Sequence, residues 1–209
     1  MTYICPTITA NSVDQYKNQL ATIQPFAERI HIDIMDGVLA PTMSPYLSEL
    51  AIPKNTVVDI HVMYQRPQQI IDTLIAIKPN MVIIHAEATV DVPLFATQMR
   101  EADIQTGLAL LPDTSAESVA SWLPHVQHVL IFGGHLGYHG GEADLSQLSK
   151  VAQLKKHSRF LTFGYDGGAN IGNVGIIREA GVDVINVGGA IHSAPNSSAA
   201  YSELVQAVS

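Results

Sequence analysis

Two periodicities alternate along this chain. Short runs dominated by Ile, Val and Leu occupy Tyr3–Ile8, Arg29–Ile34, Val57–Val62, Met81–Ile84, Gln105–Leu110, His128–Ile131, Phe160–Tyr165 and Val182–Val187. Between most of them apolar residues recur at helical spacing, most clearly over Pro67–Ile77, Pro93–Ala102, Ala116–Leu123, Asp144–His157, Ile171–Ala180 and Ser198–Val208. Near-continuous apolar runs predict strands buried on both faces, and strands joined by helices predict a parallel sheet. The segment between the second and third runs is rich in Pro, Ser and Thr and predicts a short or irregular helix. No linker, low-complexity tract or charge block divides residues 1–209, so the pattern predicts one α/β domain, a compact (β/α)8 TIM barrel. A doubly wound open sheet is the competing arrangement.

Polar residues interrupt the apolar runs at one end. His31-Ile32-Asp33-Ile34-Met35-Asp36-Gly37 is echoed by Asp59-Ile60-His61-Val62-Met63. Successive side chains of a strand point to opposite faces, so His31, Asp33 and Met35 share one face, as do Asp59, His61 and Met63. His85 and Glu87 follow the fourth run, Asp166 the seventh, and Gly188-Gly189 the eighth. Functional groups of such barrels gather at the carboxyl ends of the strands, where these residues fall.

Composition narrows the class. Charged residues make up only 14% and hydrophobic ones 47%, which suits many doubly covered strands. The formal net charge of −8 argues against nucleic acid and against an anionic membrane as partner, but not against a small phosphorylated ligand held by backbone N–H groups. A single cysteine, Cys5, excludes an intrachain disulfide and is compatible with a reducing cytoplasm. Neither a signal peptide nor an apolar run long enough to span a bilayer is expected.

Two imidazoles and two carboxylates, His31, Asp33, His61 and Asp166, form a candidate four-ligand site for one divalent metal ion. Imidazole with carboxylate suits Zn, Fe, Mn or Co, and the lack of a cysteine ligand leaves the choice open. A lone buried His is more often a hydrogen-bonded core residue; the paired pattern reverses that preference. Asp59, one layer deeper, is expected either to accept from the His61 ring and orient it or to be a satisfied buried carboxylate. Met35 and Met63 either line a cavity or pack the barrel. His135 and His192 are expected on solvated loops.

Glycine clusters Gly137-Tyr138-His139-Gly140-Gly141, Asp166-Gly167-Gly168 and Gly188-Gly189 follow the sixth, seventh and eighth runs. Each alone reads as a turn. Together they predict exposed N–H groups for a phosphate near Gly140, Gly141, Gly168, Gly188 and Gly189. No lysine ends a strand, which argues against Schiff-base chemistry, and no strand carries the Asp-x-Lys arrangement of an orotidine-phosphate-type decarboxylase.

The motifs His31-Ile-Asp-Ile-Met-Asp-Gly37, Asp59-Ile-His-Val-Met63, His85-Ala-Glu-Ala88, Gly107-Leu-Ala-Leu110, Asp166-Gly-Gly168 and Gly188-Gly-Ala-Ile191 resemble, in order and spacing, those of the ribulose-phosphate 3-epimerase family. Cys5-Pro6-Thr7-Ile8 is similar to its opening Ala-Pro-Ser-Ile. The resemblance implies a ribulose-phosphate-binding type of barrel, a sugar-phosphate substrate held at Thr7 and the glycine loops, and a homo-oligomer. It further implies metal ligation by His31, Asp33, His61 and Asp166, with Asp33 and Asp166 also as the catalytic acid–base pair. The chain departs from the family at Thr7, at Val38-Leu-Ala-Pro-Thr42 in place of His-Phe-Val-Pro-Asn, at Phe132 in place of Met, at Leu136-Gly-Tyr-His-Gly-Gly-Glu142 in place of Pro-Gly-Phe-Gly-Gly-Gln, and at Gly188-Gly189 in place of Gly-Ser or Gly-Asn. The expected activity is C3 epimerisation of D-ribulose 5-phosphate to D-xylulose 5-phosphate. The alternatives are another ketose phosphate, such as allulose 6-phosphate, or a non-catalytic barrel that binds a phosphorylated metabolite.

Overall fold

The computed structural model describes residues 2–138, 140–157 and 160–209. Eight parallel strands close into a barrel in chain order. They are β1 (Tyr3–Thr9), β2 (Arg29–Met35), β3 (Val57–Met63), β4 (Met81–His85), β5 (Gln105–Leu110), β6 (His128–Phe132), β7 (Thr162–Asp166) and β8 (Val184–Val187). β8 pairs with β1 and leaves no free edge, which removes the open-sheet alternative.

Helices cover the outside: α1 (Val13–Ile23), α2 (Ile71–Ile77), α3 (Val92–Glu101), α4 (Ser149–Leu154), α5 (Val174–Glu179), α6 (Gly189–His192) and α7 (Ser197–Ala207). The outer core joins them to one face of every strand, with Ile30, Ile32 and Ile34 of β2 and Ile60 and Val62 of β3 among its buried members. The opposite phase faces inward, where Met81, Ile83, Ala109 and Leu130 form a small apolar plug. The inner layers thus follow directly from the two-residue repeat.

Several boundaries move. Ala116–Leu123 is not one α-helix but part of two 3₁₀ turns, Glu117–Val119 and Leu123–His125, the second carrying Pro124 in its first turn. Pro67–Ile77 and Asp144–His157 each begin as a 3₁₀ turn, over Pro67–Ile70 and Leu145–Leu148, before α2 and α4. The Pro/Ser/Thr-rich β2–β3 segment has a single 3₁₀ turn, Leu47–Glu49. β7 starts at Thr162, and Phe160, expected inside that strand, is 96% exposed. β8 starts at Val184 rather than Val182. The apolar periodicity does not single out α1, which is largely polar and is started by Ser12, whose side chain accepts from the Gln15 N–H.

Candidate active site

At the carboxyl end of the barrel, β2 and β3 pair with Asp33 beside His61, His31 beside Asp59 and Met35 beside Met63. β7 delivers Asp166 from across the barrel, next to Phe132 of β6. Each residue is inward because its strand turns apolar residues outward at every second position. The result is one buried cluster: His31, Asp33, His61 and Asp166 each offer a ligand atom, and these atoms lie within 4.8 Å of one another.

The contacts inside the cluster are specific. His61 Nδ1 stands 2.9 Å from Asp33 Oδ1 and 3.9 Å from Asp166 Oδ2. His31 Nε2 is 3.3 Å from Asp33 Oδ1 and 3.4 Å from Asp166 Oδ2. That nitrogen is buried and makes no hydrogen bond, a costly state unless something else meets it. The Thr9 hydroxyl donates to the other Asp33 oxygen at 2.5 Å. Converging imidazole and carboxylate donors with an unmatched nitrogen fit a divalent cation, and no cysteine or lysine intrudes among them.

Charge is divided unequally between the carboxylates. Burial alone would raise the Asp33 carboxyl, but the close imidazoles of His31 and His61 outweigh it and hold it below the ordinary range. Burial and the Asp33 charge push Asp166 up to about 7. Burial disfavours a charged His31, yet Asp33 and Asp166 outweigh that and raise it, whereas burial prevails at His61 and lowers it.

Beside the cluster opens a cavity of about 270 Å³, lined by Thr7, Thr9, Asp33, Met63, Phe132, Asp166, Asn186, His135 and, from the loops, Gly140, Gly141, Gly168, Gly188 and Gly189. No lysine or arginine lines it among the described residues. The Gly167-Gly168 turn has φ of +113° and +70°, and a Cβ on Gly168 would stand 2.5 Å from the Ala143 nitrogen, so only glycine suits this corner. His139, part of the first glycine cluster, lies outside the described residues. Met35 is not among the lining residues; it packs with Ala40 and Met63 and receives the Thr42 hydroxyl on its sulfur.

Of the two readings of Asp59, the satisfied buried carboxylate holds: it accepts from Arg29 Nε at 2.6 Å and Asn80 Nδ2 at 2.9 Å, closing the lower end of the barrel, and it does not touch His61. One expectation is corrected. His192 belongs to α6, and its Nε2 meets the Thr7 carbonyl at 2.9 Å. His135 lies on an exposed loop, as expected, and borders the mouth of the cavity.

Two features go beyond the sequence reading of the site. His85 is the partner of His61, with Nε2 to Nε2 at 2.8 Å, and its Nδ1 faces Glu87 at 3.2 Å. The His85-Ala-Glu87 motif at a strand end was the available signal. Asn186 of β8 turns inward and leaves its buried Oδ1 without a partner, as does the Thr7 hydroxyl. Its signal, one polar residue in Val184-Ile185-Asn186-Val187, is weak in isolation.

The model of the ribulose-phosphate 3-epimerase family matches residues 3–192. The chain is 29% identical to the ribulose-phosphate 3-epimerase of Mycobacterium leprae, over 96% of this chain and 92% of that protein. It is 25% identical to the Bacillus subtilis protein of the same name, over 98% of each. Its fold is similar to a crystal structure of 3-hexulose-6-phosphate synthase, with a TM-score of 0.75 and 17% identity over the whole of both chains.

Proposed function

This chain belongs to the ribulose-phosphate 3-epimerase family, an isomerase family acting on carbohydrates, and we propose that it inverts C3 of a ketose phosphate, with D-ribulose 5-phosphate and D-xylulose 5-phosphate as the interconverted pair. The observation that carries this reading is the pair Asp33 and Asp166, brought to one cavity from strands on different sides of the barrel, with proton affinities shifted in opposite directions.

Inversion beside a ketone requires C3 to lose its proton from one face and gain one on the other. One carboxylate cannot serve both faces, so two are needed. Asp33 accepts the C3 proton and leaves an enediolate; Asp166, delivered by β7 from the other side of the cavity, returns a proton to the opposite face. The reverse reaction exchanges these roles after re-equilibration with solvent. His31, Asp33, His61 and Asp166 would hold a divalent cation, which would supply positive charge to the site when bound. Thr9 fixes the Asp33 carboxylate, and Phe132 and Met63 wall the cavity without offering a competing proton. The phosphate is assigned to backbone N–H groups around Gly140, Gly141, Gly168, Gly188 and Gly189, and the unmatched polar atoms of Thr7 and Asn186 to sugar hydroxyls.

A second reading, epimerisation of a six-carbon ketose phosphate such as allulose 6-phosphate, is favoured by the altered cavity wall, where Phe132 and Gly189 meet the substrate space. A panel of ketopentose and ketohexose phosphates, assayed with chelator-treated and metal-reconstituted protein, separates the two. The expected result is metal-dependent turnover with ribulose 5-phosphate the best substrate. Turnover confined to a hexulose phosphate selects the second reading, and stable metal binding with no turnover of any ketose phosphate contradicts both.

A further inference from the structure

We propose that Glu87 and His85 are positioning residues that fix the proton on His61 Nε2, so that His61 Nδ1 presents a lone pair to the metal. The inference rests on the assignment of His31, Asp33, His61 and Asp166 as the ligands.

With a cation at the four ligands, the hydrogen bonds allow one direction only. Glu87 Oε1 is occupied by the Leu111 N–H at 3.0 Å and by the Thr114 hydroxyl. Leu111 is itself held in place, because the ammonium of Lys150 donates to the Leu111 and Pro112 carbonyls at 2.8 Å each. Glu87 Oε2 faces His85 Nδ1 at 3.2 Å. A carboxylate only accepts, so His85 keeps its proton on Nδ1. A neutral His85 then has a lone pair on Nε2, and the buried 2.8 Å contact with His61 Nε2 requires His61 to be the donor. A neutral His61 protonated at Nε2 has its lone pair on Nδ1, the nitrogen aimed at Asp33 and Asp166. Without a cation that lone pair meets a carboxylate oxygen at 2.9 Å, acceptor against acceptor. The opposite direction would satisfy Asp33 but set a bare His85 Nδ1 against Glu87. The relay therefore moves the conflict to the place where a cation resolves it. Partners of this kind that orient a ligating imidazole contribute about 10- to 100-fold to metal affinity.

Glu87→Gln is the informative change, because it keeps shape and reverses polarity. The Leu111 N–H and Thr114 hydroxyl claim the Gln carbonyl, which turns its NH2 toward His85 Nδ1 and drives the proton on His61 to Nδ1. Zinc affinity, measured by competition with a chromophoric chelator, is expected to fall by about 10- to 100-fold. In a His85→Leu background the same Glu87→Gln change is expected to have no effect, since the connection is gone. Nitrogen-15 NMR of the imidazoles supplies a readout that does not depend on either variant folding: zinc-loaded wild-type protein should carry protons on His61 Nε2 and His85 Nδ1. Equal zinc affinity in Glu87→Gln and wild type, an undiminished effect of Glu87→Gln in the His85→Leu background, or a His85 proton on Nε2 overturns the relay. Failure of the wild-type protein to bind zinc overturns the ligand assignment and the relay with it, so the two failures are told apart by the wild-type titration.

Discussion

At the scale of single residues, environment rather than identity separates the acids and bases of this barrel. Asp33 and Asp166 are both aspartates, yet imidazole partners lower one while burial and a like charge push the other up to about 7. His128 shows the same principle away from the site. It is buried, its Nδ1 meets the Thr162 hydroxyl at 2.9 Å, and burial together with the Arg29 and His31 charges lowers it to about 3. The unfolded chain takes up this proton below pH ~6.5 and the folded chain does not, so stability is present above that pH and lost as pH falls toward 3. Each unit in that window costs about 1.4 kcal/mol. His128→Gln should flatten the loss between pH 6.5 and 4.5 by roughly 2–3 kcal/mol in urea titrations of metal-free protein; an unchanged acid slope contradicts the assignment. The clustering of His31, Asp33 and His61 was readable because His31-Ile-Asp33 and Asp59-Ile-His61 repeat one strand phase, and that of Asp166 because it follows the seventh apolar run. The partners of Asp59 and His61 were not, since Arg29, Asn80 and His85 become neighbours only through strand pairing.

At the scale of elements, strands set the cluster and loops shape the cavity. The β6 and β8 loops touch where a Cβ on Gly189 would stand 3.0 Å from the Gly140 Cα, tighter than an ordinary contact. Gly189→Val should push these loops apart and raise KM for a phosphorylated ketose by about tenfold, equivalent to ~1.4 kcal/mol, while leaving KM for the dephosphorylated sugar nearly unchanged. Equal increases for both would mean that the loops serve packing alone. Strands were the legible elements, because burial on two faces writes continuous apolar runs. Helices were less so: α1 contacts β1 and α7 through a narrow face, and the β5–β6 connection is reduced to 3₁₀ turns that an apolar repeat does not distinguish from an α-helix. Phe160 is the opposite case, an apolar residue beside a strand that the fold leaves outside.

At the scale of the whole molecule, barrel closure brings β2, β3 and β7 to one mouth and unites residues 135 positions apart, from His31 to Asp166. In the proposed mechanism Asp33 and Asp166 work from opposite faces of one substrate. The most direct test runs the reaction in heavy water with metal content measured on each sample. Wild-type protein should place deuterium at C3 of the epimerised product, because the abstracted proton is lost to solvent and a second acid supplies its replacement. Asp166→Asn with full metal should lose inversion by a factor on the order of 10²–10⁴ while Asp33 still exchanges the C3 proton of one epimer with retention. Inversion at the wild-type rate by metal-replete Asp166→Asn protein would contradict the two-carboxylate account.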